Sequence, residues 1–237
     1  MLIISIAFLA GIMTYLGGSL ALRFKDQLHL ILGFSAGAVI GVAFFDLLPE
    51  SLELGSAYHP LSTGLLVTAI GFLLYLVVDR FFIPHTHESH DHDHRRSDLR
   101  AGSLSFHSLL DGLGVGLSFQ VSASLGIIVA IAVLAHDFSD GINTISVVLK
   151  NGGNQKKAMH WLLADSIAPI IGVFIAYLFP ISESTLSLLL SLFAGFFLYI
   201  GASDLIPESF HGHPTKWTTA MTILGALVIY IAISIAG

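Results

Sequence analysis

Cysteine is absent from the 237 residues, so no disulfide constrains the fold and no thiolate is on offer to a metal ion. Charge is scarce as well: Asp, Glu, Lys and Arg make up 11% of the chain, against 54% hydrophobic residues and a mean hydropathy of +0.84. That balance leaves too little polar material to clothe a soluble domain, and the chain is expected to live in lipid. The alternation over about ten residues that marks a transmembrane β-barrel is also missing: runs such as 65–78 and 221–235 do not alternate. Spanning segments of a non-barrel protein are helices, because hydrocarbon offers backbone groups no other partner. The net charge of −6 includes acids inside apolar stretches, so it implies neither a basic partner nor nucleic acid.

What is present is a succession of apolar stretches near the roughly 20 residues that cross a bilayer core of about 30 Å. They predict an all-α integral membrane protein with eight transmembrane helices, near 2–23, 27–50, 61–83, 99–119, 122–149, 155–179, 184–208 and 215–236, in one transmembrane domain covering 1–237. The first stretch lacks a basic flank and a small-residue cleavage site, and is expected to be a retained helix. One connection is long: 84–98 interleaves His85, His87, His90, His92 and His94 with acids, a composition suited to weak metal capture. All ten Lys and Arg residues fall at or near connections 1–2, 3–4, 5–6 and 7–8 of the eight spans. The positive-inside rule then makes those connections cytoplasmic, the His-rich loop among them, with both termini outside. A plasma (inner) membrane is the expected location.

Two hexamers echo one another. Asp46-Leu47-Leu48-Pro49-Glu50-Ser51 ends the second span and Asp204-Leu205-Ile206-Pro207-Glu208-Ser209 ends the seventh, on opposite sides of the predicted topology. Spans 1–3 and 6–8 therefore form an inverted repeat around spans 4 and 5, an arrangement typical of proteins that open one central site to either side in turn.

Spans 4 and 5 carry the chemistry. His107 and Asp111 stand four residues apart in one, His136 and Asp140 in the other, a spacing that puts both side chains on one helix face. Opposed, the two faces supply two imidazoles and two carboxylates, a set for Zn²⁺ or another borderline divalent ion rather than Cu(I). Ser108 and Asp137, each one residue past a histidine, are placed to build a second, adjacent site. Asp165 lies four residues before Pro169; the ring has no N–H for the Asp165 carbonyl, freeing it along with the carboxylate. Polar glue between helices is the bland alternative for such residues, but four matched ionisable groups are costly in a bilayer. An intramembrane metalloprotease would want His-Glu-x-x-His. Here 136–140 reads His-Asp-Phe-Ser-Asp, without the Glu base or the second His. A non-transporting metal sensor has no use for two equivalent gates.

At these residues the sequence resembles the ZIP (Zrt/Irt-like) family of divalent metal transporters over nearly its whole length. The resemblance implies a non-enzymatic transporter with no catalytic residue or cofactor, whose substrate is zinc, or iron, manganese or cadmium, moved into the cytosol. It implies a binuclear centre in which His107, Asp111, His136 and Asp140 form the first site and Ser108, Asp137 and Asp165 contribute to the second. Asp46 would stand at the entrance and Asp204, Glu208 and His211 at the exit, with spans 1, 4, 5 and 6 moving against the rest. Ser108 stands where the family usually has Asn, and Leu110 and Ser139 where many bacterial members have Pro. Partners beyond the ion and membrane lipid are not implied; a homodimer is compatible.

Overall fold

The computed structural model describes residues 2–23, 28–82, 90–179, 181–210 and 216–236, and every regular element among them is helical. The helices are α1 (Leu2–Arg23), α2 (Leu28–Val42), α3 (Leu48–Gly55), α4 (Leu61–Phe82), α5 (His90–Val121), α6 (Ala123–Lys150), α7 (Gln155–Ala176), α8 (Glu183–Tyr199), α9 (Ile206–Phe210) and α10 (Lys216–Ala236). Among the described residues, six stretches are long and apolar enough to cross a membrane: Leu2–Arg23, His29–Gly55, Leu61–Arg80, Gln155–Ala176, Glu183–Ser203 and Lys216–Ile235. The 32-residue α5 and 28-residue α6 also have the length, and in α5 the histidines and charged residues dilute the apolar character.

Two sequence expectations are corrected here. Pro49 does not end the second span: the chain continues from α2 through a π-helical turn, Ala43–Leu47, into α3. Proline is tolerated because it falls in the first turn of α3, where its missing N–H costs least. The other hexamer behaves identically, with a π-helical turn at Ile200–Leu205 between α8 and α9. Nor does the fourth helix start near 99; it begins at His90. Hydropathy marks where a helix enters lipid, whereas its polar first turns are anchored by contacts. Asp98 holds the Lys157 Nζ at 2.9 Å and accepts a hydrogen bond from Trp161 Nε1, also at 2.9 Å, tying α5 to α7. Side-chain caps start other helices: the Asn154 side chain accepts from the Lys157 N–H, and Ser182 from the Thr185 N–H, each meeting a donor that the helix itself cannot.

The helices sort into two quartets. In the first, α1 packs on α6, α5 on α7, and α1 on α7; in the second, α2 packs on α10 and α4 on α8. Glycine sets the close approach within each. A Cβ on Gly17 would strike the Phe138 carbonyl and one on Gly141 the Thr14 carbonyl, both at the α1–α6 contact. Gly112 and Gly172 stand likewise against Pro169 and Leu109 where α5 meets α7, and Gly37 and Gly225 against Thr222 and Phe34 where α2 meets α10. Small residues let backbones touch in this way where no hydrophobic effect drives helices together. The outside of the assembly is apolar: α4 exposes Leu65, Leu66, Ile70, Leu73 and Val77, and α10 exposes Ile223, Leu224, Leu227 and Ile231. Polar side chains gather inside instead, on α5, α6 and α7.

Candidate metal centre

His107 and Asp111 on α5 face His136 and Asp140 on α6, and all four are at least 95% buried. Their spacing of four keeps each pair on one face, as the sequence predicted. His107 Nε2 lies 3.3 Å from Asp111 Oδ2 and 3.8 Å from Asp140 Oδ2, and His136 Nε2 lies 3.4 and 3.8 Å from the same two oxygens. One ligand atom from each residue can be chosen so that all lie within 4.8 Å of one another. A tetrahedron with zinc-to-ligand distances of about 2.05 Å has edges of about 3.3 Å, so the four need only small adjustments to close on one ion. Interhelical glue accounts for the cluster poorly: the buried Asp140 Oδ2 has no hydrogen-bond partner. A buried oxygen in that state is costly, and a cation satisfies it.

Phe197 of α8, which the sequence reading did not single out, walls the cluster on one side. Its ring meets both imidazoles edge to face, with centroids 4.8 Å from His107 and 4.9 Å from His136. Fixing both ring planes limits the directions in which the imidazole lone pairs point. One residue in an aromatic-rich apolar span gives no sequence signal for such a role.

The adjacent group is Ser108, Asp137 and Asp165. Ser108 Oγ donates to Asp165 Oδ1 at 2.7 Å, and Thr144 Oγ1 donates to Asp165 Oδ2 at 2.6 Å. The Asp165 carboxylate is therefore engaged, where the Pro169 argument had it free; α7 runs on through the proline without a break. Thr144 is a second residue missed in the sequence, though a signal existed, since it lies seven residues beyond Asp137 on the same helical face. Asp137 is fully buried and neither carboxylate oxygen has a partner, an arrangement that again favours a positive ion alongside.

Asp46 sits in the first π-helical turn, buried, with Oδ2 unpartnered. Asp204 and Glu208 lie on the second π-helical turn and α9, with side chains outside the described residues. His85, His87 and His211 are themselves outside them, and of His90, His92 and His94 only the backbone, in the first turns of α5, is described. Toward the α5–α6 connection, Val42, Leu47, Leu110, Val133, Leu190 and Phe193 enclose a narrow apolar recess above Asp111 and His136.

Residues 101–233, more than half of the chain, match the family model described as ZIP zinc transporter. Zinc transporter ZupT of Corynebacterium aurimucosum is 27% identical over 228 residues, covering 86% of this chain and 86% of that protein. Human zinc transporter ZIP10 is 29% identical over 140 residues, and mouse zinc transporter SLC39A7 is 24% identical over 276. The matches span 17% and 58% of those two longer proteins. With α5, α6 and α7 all carrying the matched segment and the buried cluster, the chain belongs to the ZIP zinc transporter family, whose members are transporters and not enzymes.

Proposed function

We propose that this chain carries a divalent transition-metal ion, zinc foremost with iron, manganese and cadmium as chemically related substrates, through the membrane into the cytosol. The observation that carries the reading is the buried set of His107, Asp111, His136 and Asp140, with ligand atoms within 4.8 Å of one another and an oxygen of Asp140 unpartnered. Neutral imidazole and ionised carboxylate are strong enough together to strip water from zinc, yet hold it less tightly than the thiolates of a permanent structural site.

Eight spans serve this function: α1, α2 with α3, α4, α5, α6, α7, α8 with α9, and α10. The placement of basic residues puts the Lys150 end of α6 in the cytosol and the α5–α6 connection outside. Support for an inverted repeat comes from the pairings. Exchanging spans 1–3 for 6–8 and span 4 for span 5 turns the α2–α10 contact into α8–α4 and the α1–α6 contact into α7–α5. Both hexamers also follow the same π-helical geometry. In this arrangement the apolar recess closes the outer side of the site. An ion arrives past Asp46, exchanges water for the four ligands, draws on Ser108, Asp137 and Asp165 when a second ion is present, and leaves past Asp204, Glu208 and His211. The histidines of 84–98 then buffer released metal at the cytoplasmic face, at a plasma (inner) membrane.

The test is zinc uptake into proteoliposomes loaded with a metal-sensing dye, comparing the wild type with the His107→Ala, His136→Ala double variant. Saturable flux lost in the variant is expected, and competition by iron, manganese and cadmium ranks the substrates. Stoichiometric, variant-sensitive binding without flux would overturn transport in favour of a metal sensor.

A further inference from the structure

The face of α6 below the metal cluster holds two polar side chains that nothing in the fold satisfies. Asn143 is 4% exposed and neither its amide oxygen nor its nitrogen has a hydrogen-bond partner; Ser146, 3% exposed, has an unpartnered hydroxyl. Both groups are expensive to bury in this state, and helix glue does not explain them, since glue by definition has a partner on another helix.

Their position gives them a use. At about 100° and 1.5 Å per residue, Asn143 lies about 60° round and 4.5 Å along from Asp140, and Ser146 repeats that step in the same sense. Asp140, Asn143 and Ser146 thus form a stripe that starts at the cluster and runs toward the Lys150 end of the helix. The other faces of α6 are occupied. Phe138 and Gly141 lie against α1, and Thr144 is bonded to Asp165 of α7. Asn143 stands seven residues beyond His136, so the stripe runs down the face of α6 that carries the cluster.

We propose that Asn143 and Ser146 form a relay site, one and two turns beyond the His/Asp cluster, that accepts the partly hydrated divalent cation as it leaves. The donors are neutral oxygens, which bind a hard, partly hydrated ion weakly compared with imidazole and carboxylate. Weak binding is what a leaving ion needs: enough to replace lost ligands, too little to detain it. The contrast with the other side of the cluster is direct, since the residues above it, Val42, Leu47, Val133, Leu190 and Phe193, are all apolar. The entrance proposed above carries a carboxylate, Asp46, whereas the Lys150 side offers neutral oxygens. The inference rests on the transport reading above and deepens it.

The absence of cysteine makes the test clean. Asn143→Cys and Ser146→Cys, made singly in the full chain in sided membrane vesicles, are exposed to a membrane-impermeant thiol reagent with and without zinc. Labelling from the Lys150 side, slowed by zinc, is expected. Labelling from the opposite side only, from neither side, or at a rate indifferent to zinc would overturn the relay. In proteoliposomes Asn143→Leu should lower zinc flux by about five- to tenfold, the loss of one ion-to-amide contact. Equilibrium zinc binding to the cluster should persist, which also shows that the variant folds. Wild-type flux in Asn143→Leu would overturn the proposal. If the wild type itself moves no zinc, transport is what fails, and the labelling then decides alone whether the stripe is a hydrated path.

Discussion

Asp46 and Asp204, 158 residues apart, occupy matching steps of two π-helical turns, each three residues ahead of a proline. In each case the carbonyl four residues before the proline, that of Phe45 or Ser203, has no N–H to receive. The wider turn absorbs that defect without ending the helix. Replacing Pro49 and Pro207 by Ala restores the missing donors and favours continuous α-helix. Zinc flux is expected to fall several-fold, while zinc binding in detergent, measured by calorimetry, stays near wild type.

Removing a ligand should separate the two groups of residues in the centre. Asp140→Ala takes away a ligand oxygen of the four-residue cluster and is expected to weaken zinc binding by at least about 10–100-fold, the loss seen when even a supporting partner of a metal ligand is removed. Calorimetric titration of purified protein measures it. Binding unchanged in Asp140→Ala would place the ion elsewhere.

Thr144→Val probes the partner that holds Asp165. Losing the 2.6 Å bond leaves a buried carboxylate oxygen short of a donor, at a cost of about 1–3 kcal/mol. The apo protein should melt at a lower temperature, and Ser108→Ala with Thr144→Val should lower it further, because both donors serve one carboxylate. If zinc restores more stability to the double variant than to the wild type, the freed Asp165 has become a ligand.

Gly112 and Gly114 make a matched pair for testing helix approach. A Cβ on Gly112 would run into the Pro169 backbone, whereas on Gly114 it would meet only the Phe193 ring edge, at 3.6 Å. Gly112→Ala should destabilise by about 1–3 kcal/mol, as overpacking does, and Gly114→Ala should be close to neutral. Thermal melting in detergent distinguishes them.

Acidification should weaken zinc binding. Two imidazoles must offer lone pairs and two carboxylates must be ionised, so the ion competes with protons at every ligand. Zinc affinity, measured between pH 7.5 and pH 5.5, is expected to decline steadily, with proton release on zinc addition as the matching signal. An affinity flat across this range would argue against histidine ligation.

The four-residue spacing of His and Asp on α5 and α6 was legible because helical periodicity fixes which side chains share a face, and the geometry of the cluster follows from it. Gly33, Gly37 and Gly41, recurring every four residues along α2, share a face in the same way, and all three stand against α10. Local rules failed where an outcome depends on a partner far along the chain. The second span runs past the 46–51 hexamer to Gly55 because a π-helical turn and the first turn of α3 accommodate Pro49 together. Asp165 looks free until Thr144, on another helix, is brought to it. Phe197 joins the centre through tertiary packing alone, and Asp98 ties α5 to α7 only once Lys157 and Trp161 are brought to it.

The backbone-to-glycine contacts all fall inside a quartet: Gly17 and Gly141, Gly112 and Gly172, Gly37 and Gly225, and Gly71 and Gly195, the last two against Leu192 and Thr68. Across the divide the Phe197 ring meets two imidazoles and the Phe193 ring lies beside Gly114. Main chain pressed on main chain resists shear, while rings against rings yield to it by small rotations. The metal cluster thus stands where the two blocks meet, its four ligands all supplied by one block and its aromatic wall by the other.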